Sequence, residues 1–510
     1  MRKKKFACGW PTLVLSLLLL GTPMSAAMAA PAVQGQWSTL TNLAPINPIH
    51  AALLPTGNVL IVAGSGNCPP SQPGCPAGAP YNPTTNGSGA VLYDPLAKTL
   101  IPLSLSYDPW CNGMVVLPGG RALIAGGTTQ YDPFHGARNA SLFDPSTNTF
   151  INVPPMAHGR WYPTVITLGD GRAMTFSGLD ENSNTNSTVE IYDPPSKVWS
   201  SPEAAGWVPP LYPRMHLLPN GKVFYSGWGT SSALFDPSLF SSGPAAWSLN
   251  VANTNYPNMR VYGTSVLLPL TPANKYDPRV MIMGGFNPAT ATTEIIDLGA
   301  VRPTWHYGPS MSQPRMEMNA VILPNGKVLA MGGSAYDEDV TSASLNADLY
   351  DPATNTFSSA GANAYPRLYH SLALLLPDAT VWVGGGNPAR GTYEKHMEIY
   401  TPAYLFQPNG APAIRPSISS APSVISWGKP FTVKTPNAAT ITSVVLVRNG
   451  AVTHAFNMDQ RLVGMSFTAG VGKLTVTVPF NGNIAPPGYY MLFLVNNSGV
   501  PSVGFITHLN

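Results

Sequence analysis

Charged residues and long apolar runs are both scarce in this chain of 510 residues. Asp, Glu, Lys and Arg make up 10% of the sequence, and the formal net charge of +3 is small and spread out. The chain therefore lacks the dense basic surface that nucleic-acid binding requires. Beyond residue 30, no stretch reaches the ~20 apolar residues of a spanning helix. We expect neither a nucleic-acid partner nor a membrane span.

The first thirty residues have the features of a leader sequence. Basic residues at 2–5 precede an apolar run at 13–20, and small residues cluster at 26–30. This order is typical of a secretory signal with an Ala-x-Ala cleavage site. We predict a signal peptide at 1–30, cleaved after Ala29 or Ala30, and a secreted or periplasmic protein.

Cysteine is rare as well, with four in the whole sequence. Cys8 leaves with the leader. Cys68 and Cys75 flank a Pro- and Gly-rich segment, and we predict that they form a disulfide in an oxidising compartment. Cys111 is then unpaired, which in an exported protein needs an explanation. Taken alone, a buried thiol that packs as a small apolar group is the ordinary one.

Glycine and proline are abundant, at 48 and 54 residues, which favours short strands joined by tight turns. Within this background a similar apolar segment, closed by small residues, recurs every 48 to 63 residues. Its seven copies begin at Asn58, Arg121, Arg172, Lys222, Arg279, Lys327 and Thr380. A second strand precedes each copy, a third follows it and a short fourth often comes next. Four strands in each of seven units predict a kelch-type propeller.

The domain organisation follows from where this repeat begins and ends. We predict an all-β protein with a seven-bladed β-propeller at 31–406. The seventh unit lacks an obvious fourth strand, so we expect a strand near 36–40 to close the ring. Strand-like runs with a different spacing follow a Pro-rich stretch, and they predict an immunoglobulin-like β-sandwich at 407–510.

One position of the repeat carries unusual residues. It lies seven residues before the Pro, or its equivalent, in the turn that joins the first two strands. In blade order it holds Pro48, Cys111, Tyr162, Tyr212, Tyr262, Glu317 and His370. Equivalent positions form a ring around the axis, so a cysteine, tyrosines and a histidine, together with the adjacent Tyr369, meet at one mouth of the channel. Imidazole and phenolate suit Cu(II), whereas the usual zinc sets use Cys, His and carboxylate.

Several motifs resemble those of the galactose oxidase and glyoxal oxidase family over essentially the whole chain after the leader. They read CNGMVVLPGG, RWYPTVITLGDGR, LYHSLALLLPD, VTHAFNMDQR and PPGYYMLFLVNNSGVPSV. The resemblance implies one copper ion and a thioether between Cys111 and Tyr162 that forms a tyrosyl radical. It also implies that the copper ligands are Tyr162, Tyr369, His370 and His454, with Tyr369 as the axial ligand and proton acceptor.

The activity implied by the resemblance is a two-electron oxidation with O₂ reduced to H₂O₂. We expect the substrate to be a small aldehyde of the glyoxal type, as its hydrate, or a primary alcohol. The chain has no room for the carbohydrate-binding domain that precedes the propeller of galactose oxidase, and two of its motifs are closer to the glyoxal oxidase branch. A carbohydrate alcohol oxidase and a non-catalytic propeller that only binds partners are the alternatives. A glycosidase would need two placed acids, and the rim offers one, Glu317.

The pocket around this site is less well defined by the sequence. Ring geometry makes Tyr212, Tyr262 and Glu317 candidate pocket residues. The family places an indole over its cross-linked tyrosine eighteen residues after it, where this chain has Asp180. Trp161 is a candidate to cover the ring instead. Trp207 and Trp228 are equally open at this point.

Overall fold

The computed structural model describes residues 31–65, 89–130, 133–389 and 392–510. The leader at 1–30 and the cysteine pair Cys68 and Cys75 lie outside these ranges, so both remain predictions. The described residues contain one four-residue α-helix, Pro31–Gln34, and several 3₁₀ turns. The turns are Pro237–Ala246, Pro272–Asn274, Val340–Ser342, Ala403–Leu405 and Ala438–Thr440. Within the described ranges, no helix has the length and apolar character needed to span a membrane.

Seven antiparallel sheets form the propeller, and in each the first strand of the repeat is the innermost strand that the blade itself contributes. Blade 1 has His50–Leu53, Val59–Val62, Ala90–Asp94 and Thr99–Leu103. Blade 2 has Gly113–Val116, Ala122–Ala125, Ala140–Asp144 and Thr149–Val153. Blade 3 has Thr164–Thr167, Ala173–Phe176, Thr188–Asp193 and Val198–Trp199, with Glu203–Ala204 paired to its third strand. Blade 4 has Met215–Leu217, Val223–Tyr225, Ser231–Phe235 and Trp247–Asn253.

The remaining blades follow the same plan, which confirms the predicted seven-bladed architecture. Blade 5 has Thr264–Leu267, Arg279–Met283, Thr293–Asp297 and Trp305–Tyr307. Blade 6 has Asn319–Ile322, Val328–Met331, Asn346–Asp351 and Thr356–Ala362. Blade 7 has Leu372–Leu375, Val381–Gly384 and His396–Thr401. A short pair, Thr128–Gln130 and His135–Gly136, lies beyond the second strand of blade 2.

An N-terminal strand completes blade 7, as the missing fourth strand of the repeat predicted. Gln36–Leu43 pairs antiparallel with His396–Thr401, with Gln36 opposite Thr401. Backbone hydrogen bonds between the two ends of the propeller therefore close the ring. Without Gln36–Leu43, the third strand His396–Thr401 would be the unpaired outer edge of blade 7.

The C-terminal domain is built around seven strands, all antiparallel except for one short parallel pair. They are Val424–Ile425, Pro430–Lys434, Ile441–Arg448, Leu462–Gly470, Lys473–Thr477, Gly488–Asn496 and Phe505–Leu509. The sheet curls into a nearly closed β-sandwich. Buried residues such as Leu446, Val476 and Leu492 fill its interior.

A hairpin of the C-terminal domain enters the propeller channel. Its two strands are Ala451–Thr453 and Phe456–Asn457, and the first pairs with the inner strand of blade 1, with Thr453 opposite His50. The hairpin therefore fills part of the central channel. It also brings residues 454 and 455 into the propeller mouth.

The segment after the hairpin fastens it to several blades at once. The Asp459 carboxylate accepts a hydrogen bond from the Val116 N–H of blade 2 at 2.6 Å and from the Thr167 hydroxyl of blade 3 at 2.9 Å. The Gln460 side chain donates to the Ala320 carbonyl of blade 6 at 2.9 Å. Because these partners come from three blades, the position of the hairpin is set by the whole ring.

Candidate metal centre

Six rim residues of the repeat share a left-handed backbone. Their φ values lie between 45° and 68°. They are Cys111, Tyr162, Tyr212, Tyr262, Glu317 and His370. A positive φ is costly for residues other than glycine, and here it recurs at one position in six blades. Proline has a fixed negative φ, which explains why Pro48 in blade 1 does not share it.

Backbone hydrogen bonds link these rim residues from one blade to the next. The Tyr162 N–H donates to the Cys111 carbonyl, and the Tyr212 N–H donates to the Tyr162 carbonyl, both at 2.9 Å. The Glu317 N–H donates to the Tyr262 carbonyl at 2.6 Å. Backbone bonds therefore join the rim residues of blades 2, 3 and 4 in one run and those of blades 5 and 6 in another.

His454, at the tip of the C-terminal hairpin, meets this rim at the axis. Its Nε2 is 3.1 Å from the Tyr162 hydroxyl oxygen and 3.8 Å from the Cys111 sulfur. Its ring centroid is 4.6 Å from that of His370 and 5.2 Å from that of Tyr369. All five residues expected at the cofactor therefore come together, although they span both domains.

The neighbouring Thr453 fixes which nitrogen of His454 is free to bind. The Thr453 hydroxyl donates its one proton to the Ile49 carbonyl at 2.9 Å. The same oxygen lies 2.6 Å from His454 Nδ1, and with its own proton on the Ile49 carbonyl we assign it as the acceptor of a proton from that nitrogen. A neutral imidazole protonated at Nδ1 leaves Nε2 as a lone pair, and this is the nitrogen that faces Tyr162.

Both histidines of the centre are held neutral. Burial lowers the pKa of His370 to about 3. Burial, followed by the nearby His370 and His50, lowers the pKa of His454 well below its ordinary value. His370 Nε2 is buried and has no hydrogen-bond partner among the described residues. Neutral imidazoles with free nitrogens are suited to metal binding.

The donor set fits a copper ion. One donor atom from each of Cys111, His370 and His454 lies within 4.8 Å of the others, and the Tyr162 hydroxyl adjoins them. Two imidazole nitrogens and phenol oxygens match the ligand preference of Cu(II). Burial raises the pKa of the Cys111 thiol well above its ordinary value, and Asp108 raises it further. The thiol is therefore protonated at neutral pH.

Trp161 is the indole that packs on Tyr162, with ring centroids 3.8 Å apart. Trp161 is also stacked on Phe134, with ring centroids 4.3 Å apart and an interplanar angle of 4°. Trp207 packs instead against Tyr225 and Trp247, at 5.2 and 4.9 Å, inside blade 4. Of the three candidates, Trp161 is thus in ring contact with Tyr162, and Trp228 lines the cavity beside it.

Asp180 and Glu317 have structural surroundings of their own. The Asp180 carboxylate accepts from the N–H groups of Asn182 and Asn184, at 2.8 and 2.9 Å, and so shapes its own turn. The Glu317 carboxylate accepts from the Tyr369 N–H at 3.1 Å. Burial, and then contact with Asp337, raise the pKa of Glu317 well above its ordinary value. Glu317 thus holds the backbone of Tyr369 in position.

A cavity of about 60 Å³ opens beside Tyr162 and His454. Its walls are Tyr162, Leu211, Tyr212, Arg214, Trp228, Tyr262 and His454. Tyr212 and Tyr262 were expected here from ring geometry, but Arg214 was not, because it lies two residues beyond the rim position. Its only signal in the sequence is a basic residue immediately before an inner strand.

His50 is a second residue that sequence reasoning missed. It begins the inner strand of blade 1, is fully buried, and its ring centroid is 5.9 Å from that of His454. Neither ring nitrogen has a hydrogen-bond partner among the described residues. In the sequence, His50 lies in an apolar stretch, where a satisfied core histidine is the simpler interpretation.

Comparison with known protein families accounts for most of the chain. The model of the glyoxal oxidase N-terminus matches residues 82–405, and that of the galactose oxidase-like early set domain matches residues 415–509. The chain belongs to the glyoxal oxidase and galactose oxidase family. This membership confirms the predicted resemblance, the immunoglobulin-like character of the second domain and the enzyme class, a copper-radical oxidase.

Individual members of the glyoxal oxidase and galactose oxidase family match along most of their length. A galactose oxidase of Gibberella zeae is 29% identical over 92% of this chain and 70% of its own. Aldehyde oxidase GLOX of Vitis pseudoreticulata is also 29% identical, over 94% of this chain and 98% of its own. A solved structure of a fungal alcohol oxidase of the AA5 family, in complex with copper, has a TM-score of 0.78 at 25% identity. It covers 94% of this chain and 100% of its own.

Proposed function

We propose that this protein is a secreted oxidase that converts a small aldehyde, as its hydrate, or a primary alcohol, with O₂ reduced to H₂O₂. One copper ion would be held by Tyr162, Tyr369, His370 and His454, and Cys111 would be joined to Tyr162 through sulfur. The observation that carries the proposal is the meeting of His454 Nε2 with Tyr162, Cys111 and His370 at the axis. Secretion rests on the predicted leader at 1–30, and the domain bounds 31–406 and 407–510 are part of the same proposal.

The overall reaction balances without an organic cofactor. Each aldehyde and one water give the hydrate, which loses two electrons and two protons to become the acid. The two electrons and two protons reduce one O₂ to one H₂O₂. Bound copper would supply a one-electron acceptor and a position for the substrate oxygen. The Tyr162 ring, cross-linked to Cys111, would supply the second oxidising equivalent by taking a hydrogen atom from the substrate carbon.

The residues around the reacting carbon have separate tasks. Tyr369 would accept the proton of the substrate hydroxyl, and Glu317 holds the Tyr369 backbone through its N–H. Trp161 would cover one side of the cross-linked ring, since its centroid is 3.8 Å from that of Tyr162. Holding the substrate beside both tyrosines turns a reaction among several molecules into steps within one assembly.

The cavity has room for a small aldehyde beside Tyr162. About 60 Å³ accommodates a few water-sized groups, which is sufficient for a two- or three-carbon aldehyde. Relatives in this family include enzymes named galactose oxidase and aldehyde oxidase, so the name of the family leaves this choice open. The cavity is consistent with the aldehyde branch.

Peroxide release tests the proposed reaction. We expect the copper-loaded protein to give a higher kcat/KM with glyoxal or methylglyoxal than with galactose. If galactose is the better substrate, the aldehyde assignment is wrong. If no aldehyde or alcohol yields peroxide at full copper loading, the oxidase assignment itself fails.

Two measurements on the protein itself test the cofactor. After copper loading in air, peptide mass mapping should find the Cys111 and Tyr162 peptides linked and two hydrogens lighter, even after reduction. His454→Ala should lower copper affinity and leave the propeller folded, because His454 belongs to the other domain. His306→Ala, at an exposed position on the outer strand of blade 5, is the matched control. A freely alkylated Cys111, or full copper binding in H454A, would contradict the assignment.

A further inference from the structure

Buried ion pairs hold the loops that lead to four of the rim residues. In blades 3, 5, 6 and 7, an arginine two or three residues before the rim residue pairs with an acid on the third strand of the same blade. The distances are 2.6 to 2.9 Å, and the pairs are Arg160–Glu190, Arg260–Glu294, Arg315–Asp348 and Arg367–Glu398. Each of these loops is therefore fixed to its own blade.

The loop of blade 2, which carries Cys111, is built differently. Residues 104–112 contain no arginine or lysine, and Ser141 occupies the position of the acid on the third strand. Cys111 nevertheless has a left-handed backbone, with a φ of 60°, which is costly for a residue other than glycine. Another feature of this loop must therefore stabilise the turn at Cys111.

Asp108 is the residue that holds this loop. Its carboxylate Oδ1 accepts hydrogen bonds from the Trp110 N–H at 3.0 Å and from the Ser65 N–H of blade 1 at 2.9 Å. Its backbone carbonyl accepts from the Thr128 N–H at 3.1 Å. Asp108 is 4% exposed. The start of the Cys111 turn is thus bonded both to blade 1 and to a second loop of blade 2.

Two glycines allow the surrounding loops to approach Asp108 closely. A β-carbon at Gly64 would lie 2.2 Å from Asp108 Oδ1 and 2.6 Å from the Trp110 nitrogen. A β-carbon at Gly127 would lie 2.2 Å from the Asp108 carbonyl oxygen. Only glycine permits such approaches. The carboxylate therefore has little room to move away from the turn.

The far side of the turn is bonded to residues of the metal centre. The Tyr162 N–H donates to the Cys111 carbonyl at 2.9 Å, and the Tyr212 hydroxyl donates to the Asn112 carbonyl at 2.7 Å. The Asn112 side chain closes the turn by donating to the Pro109 carbonyl at 2.6 Å. Cys111 and Tyr162 belong to one buried cluster. The direction of the Cys111 sulfur therefore depends on a turn that is held at both ends.

The charge of Asp108 does not activate the Cys111 thiol. Burial raises the pKa of this thiol, and the Asp108 carboxylate raises it further. The carboxylate thus favours the thiol over the more nucleophilic thiolate. Any contribution of Asp108 to the chemistry of Cys111 is therefore one of geometry.

We propose that Asp108 is a positioning residue for formation of the cofactor, because it holds the turn that presents the Cys111 sulfur to the Tyr162 ring. This inference rests on the proposed function and concerns how its thioether is made. In that step the S–H bond of Cys111 and one ring C–H bond of Tyr162 break, and a C–S bond forms. The two electrons and two protons released reduce one O₂ to one H₂O₂, with copper bound.

The rate of cross-linking is the direct measurement. Copper is added in air to the copper-free full-length protein, and peptide mass mapping follows linkage of the Cys111 and Tyr162 peptides with time. A misplacement of about 1 Å can slow a reaction about 100-fold, so Asp108→Ala should cross-link about 10- to 100-fold more slowly. Asp108→Asn loses the charge but keeps an acceptor oxygen, and should stay within about threefold of the unaltered protein. Asp108→Glu keeps the charge but displaces it by one carbon–carbon bond, and should be slowed as Asp108→Ala is.

Two controls separate this effect from loss of copper or of stability. Copper affinity from chelator competition should be unchanged in all three variants, because the hydrogen-bond partners of Asp108 are not among the proposed ligands. Asp144→Ala is the matched control. Asp144 is also a buried acid of blade 2 that accepts a backbone N–H, from Ser146 at 2.9 Å, but it lies in the turn at the other end of the blade. Its loss should leave the rate of cross-linking unchanged.

Cross-linking of D108A at the rate of the unaltered protein would overturn the inference. D108N as slow as D108A would also overturn it, since the charge and not the acceptor would then matter. If D108A does not fold, equal rates in D108N and D108E would have the same meaning. Alkylation of Cys111 in copper-free protein gives a readout without the oxidation, and should be at least about 10-fold faster in D108E than in D108N. Absence of any linked peptide from the unaltered protein at full copper loading would count against the proposed function, and equal alkylation rates would still refute the role of Asp108.

Discussion

Replacing Thr453 by valine should weaken copper binding without changing any metal ligand. Valine has nearly the shape of threonine but cannot accept the proton of His454 Nδ1, which lies 2.6 Å from the Thr453 oxygen. Without this acceptor, His454 is free to carry its proton on Nε2, the nitrogen that faces Tyr162. The lone pair needed by the metal is then no longer fixed.

The expected size of the effect follows from the partners that are lost. Removing the partner of a metal-binding histidine typically costs 10- to 100-fold in metal affinity, equivalent to about 1.4 to 2.7 kcal/mol. The variant also leaves the buried Ile49 carbonyl without its donor, which costs about 1–3 kcal/mol of folding free energy. Both effects should be measured, because only the first concerns the metal.

Chelator competition gives the copper affinity, and ¹⁵N chemical shifts give the protonation of His454 in the copper-free protein. The unaltered protein should show Nδ1 protonated and Nε2 bare, whereas T453V should show both forms. Thr453→Ser keeps the hydroxyl and should keep the affinity to within about threefold. Thr175→Val removes a buried hydroxyl that donates to the Glu190 carbonyl at 3.2 Å, and so reproduces the loss of stability alone. Equal copper affinity in T453V and T453S would refute the reasoning.

The other predictions concern the stability of the two-domain unit. Asp459→Leu should lower the thermal midpoint by the equivalent of about 3–5 kcal/mol, because it leaves Arg448 buried without its partner. The double variant R448M/D459L should regain part of this loss. The control Asp170→Asn, in an exposed ion pair, should change the thermal midpoint little. A double variant no more stable than D459L would show that the unpaired charge is not the cause. Burial, and then Arg461 and Arg214, lower the pKa of His216 to about 3, so below pH 6.5 the unfolded chain takes up a proton that the folded protein does not. The free energy of unfolding should therefore fall on acidification, by about 2 kcal/mol at pH 5 from His216 alone. Burial raises the pKa of Asp108 to about 6, so protonation of Asp108 below pH 6 stabilises the folded protein and offsets part of this loss. His216→Gln should narrow the difference between the thermal midpoints at pH 7.5 and pH 5, and an unchanged difference would contradict the assignment.

The positions predicted best from the sequence were those fixed by the repeat. Aligning the seven units by their turns was sufficient to place Cys111, Tyr162, Tyr212 and His370 on one rim, because equivalent positions of a propeller are related by rotation about the axis. The closing strand Gln36–Leu43 was predictable for the same reason. A unit with three strands requires a fourth from elsewhere.

The features that the sequence left undecided depend on side-chain direction. Trp161 and Trp228 both lie near the mouth, and the contact between the Trp161 and Tyr162 rings, whose centroids are 3.8 Å apart, depends on the direction of both side chains. The place of Arg214 in the cavity wall depends on the fold of the loop before the inner strand of blade 4. The proton on His454 Nδ1 depends on the second bond of the Thr453 hydroxyl. None of these features recurs with the repeat, so aligning the seven units does not predict them.

The hairpin that carries His454 also sets the order in which the centre is assembled during synthesis. Cys111, Tyr162 and His370 are made first and can be arranged by the propeller alone, but the hairpin is fastened only when residues 459 and 460 bind three blades. In a nascent chain the proposed ligand set would therefore be incomplete until residue 454 and the segment after it have been made. Reactive metal chemistry would then begin only after the surrounding protein is present.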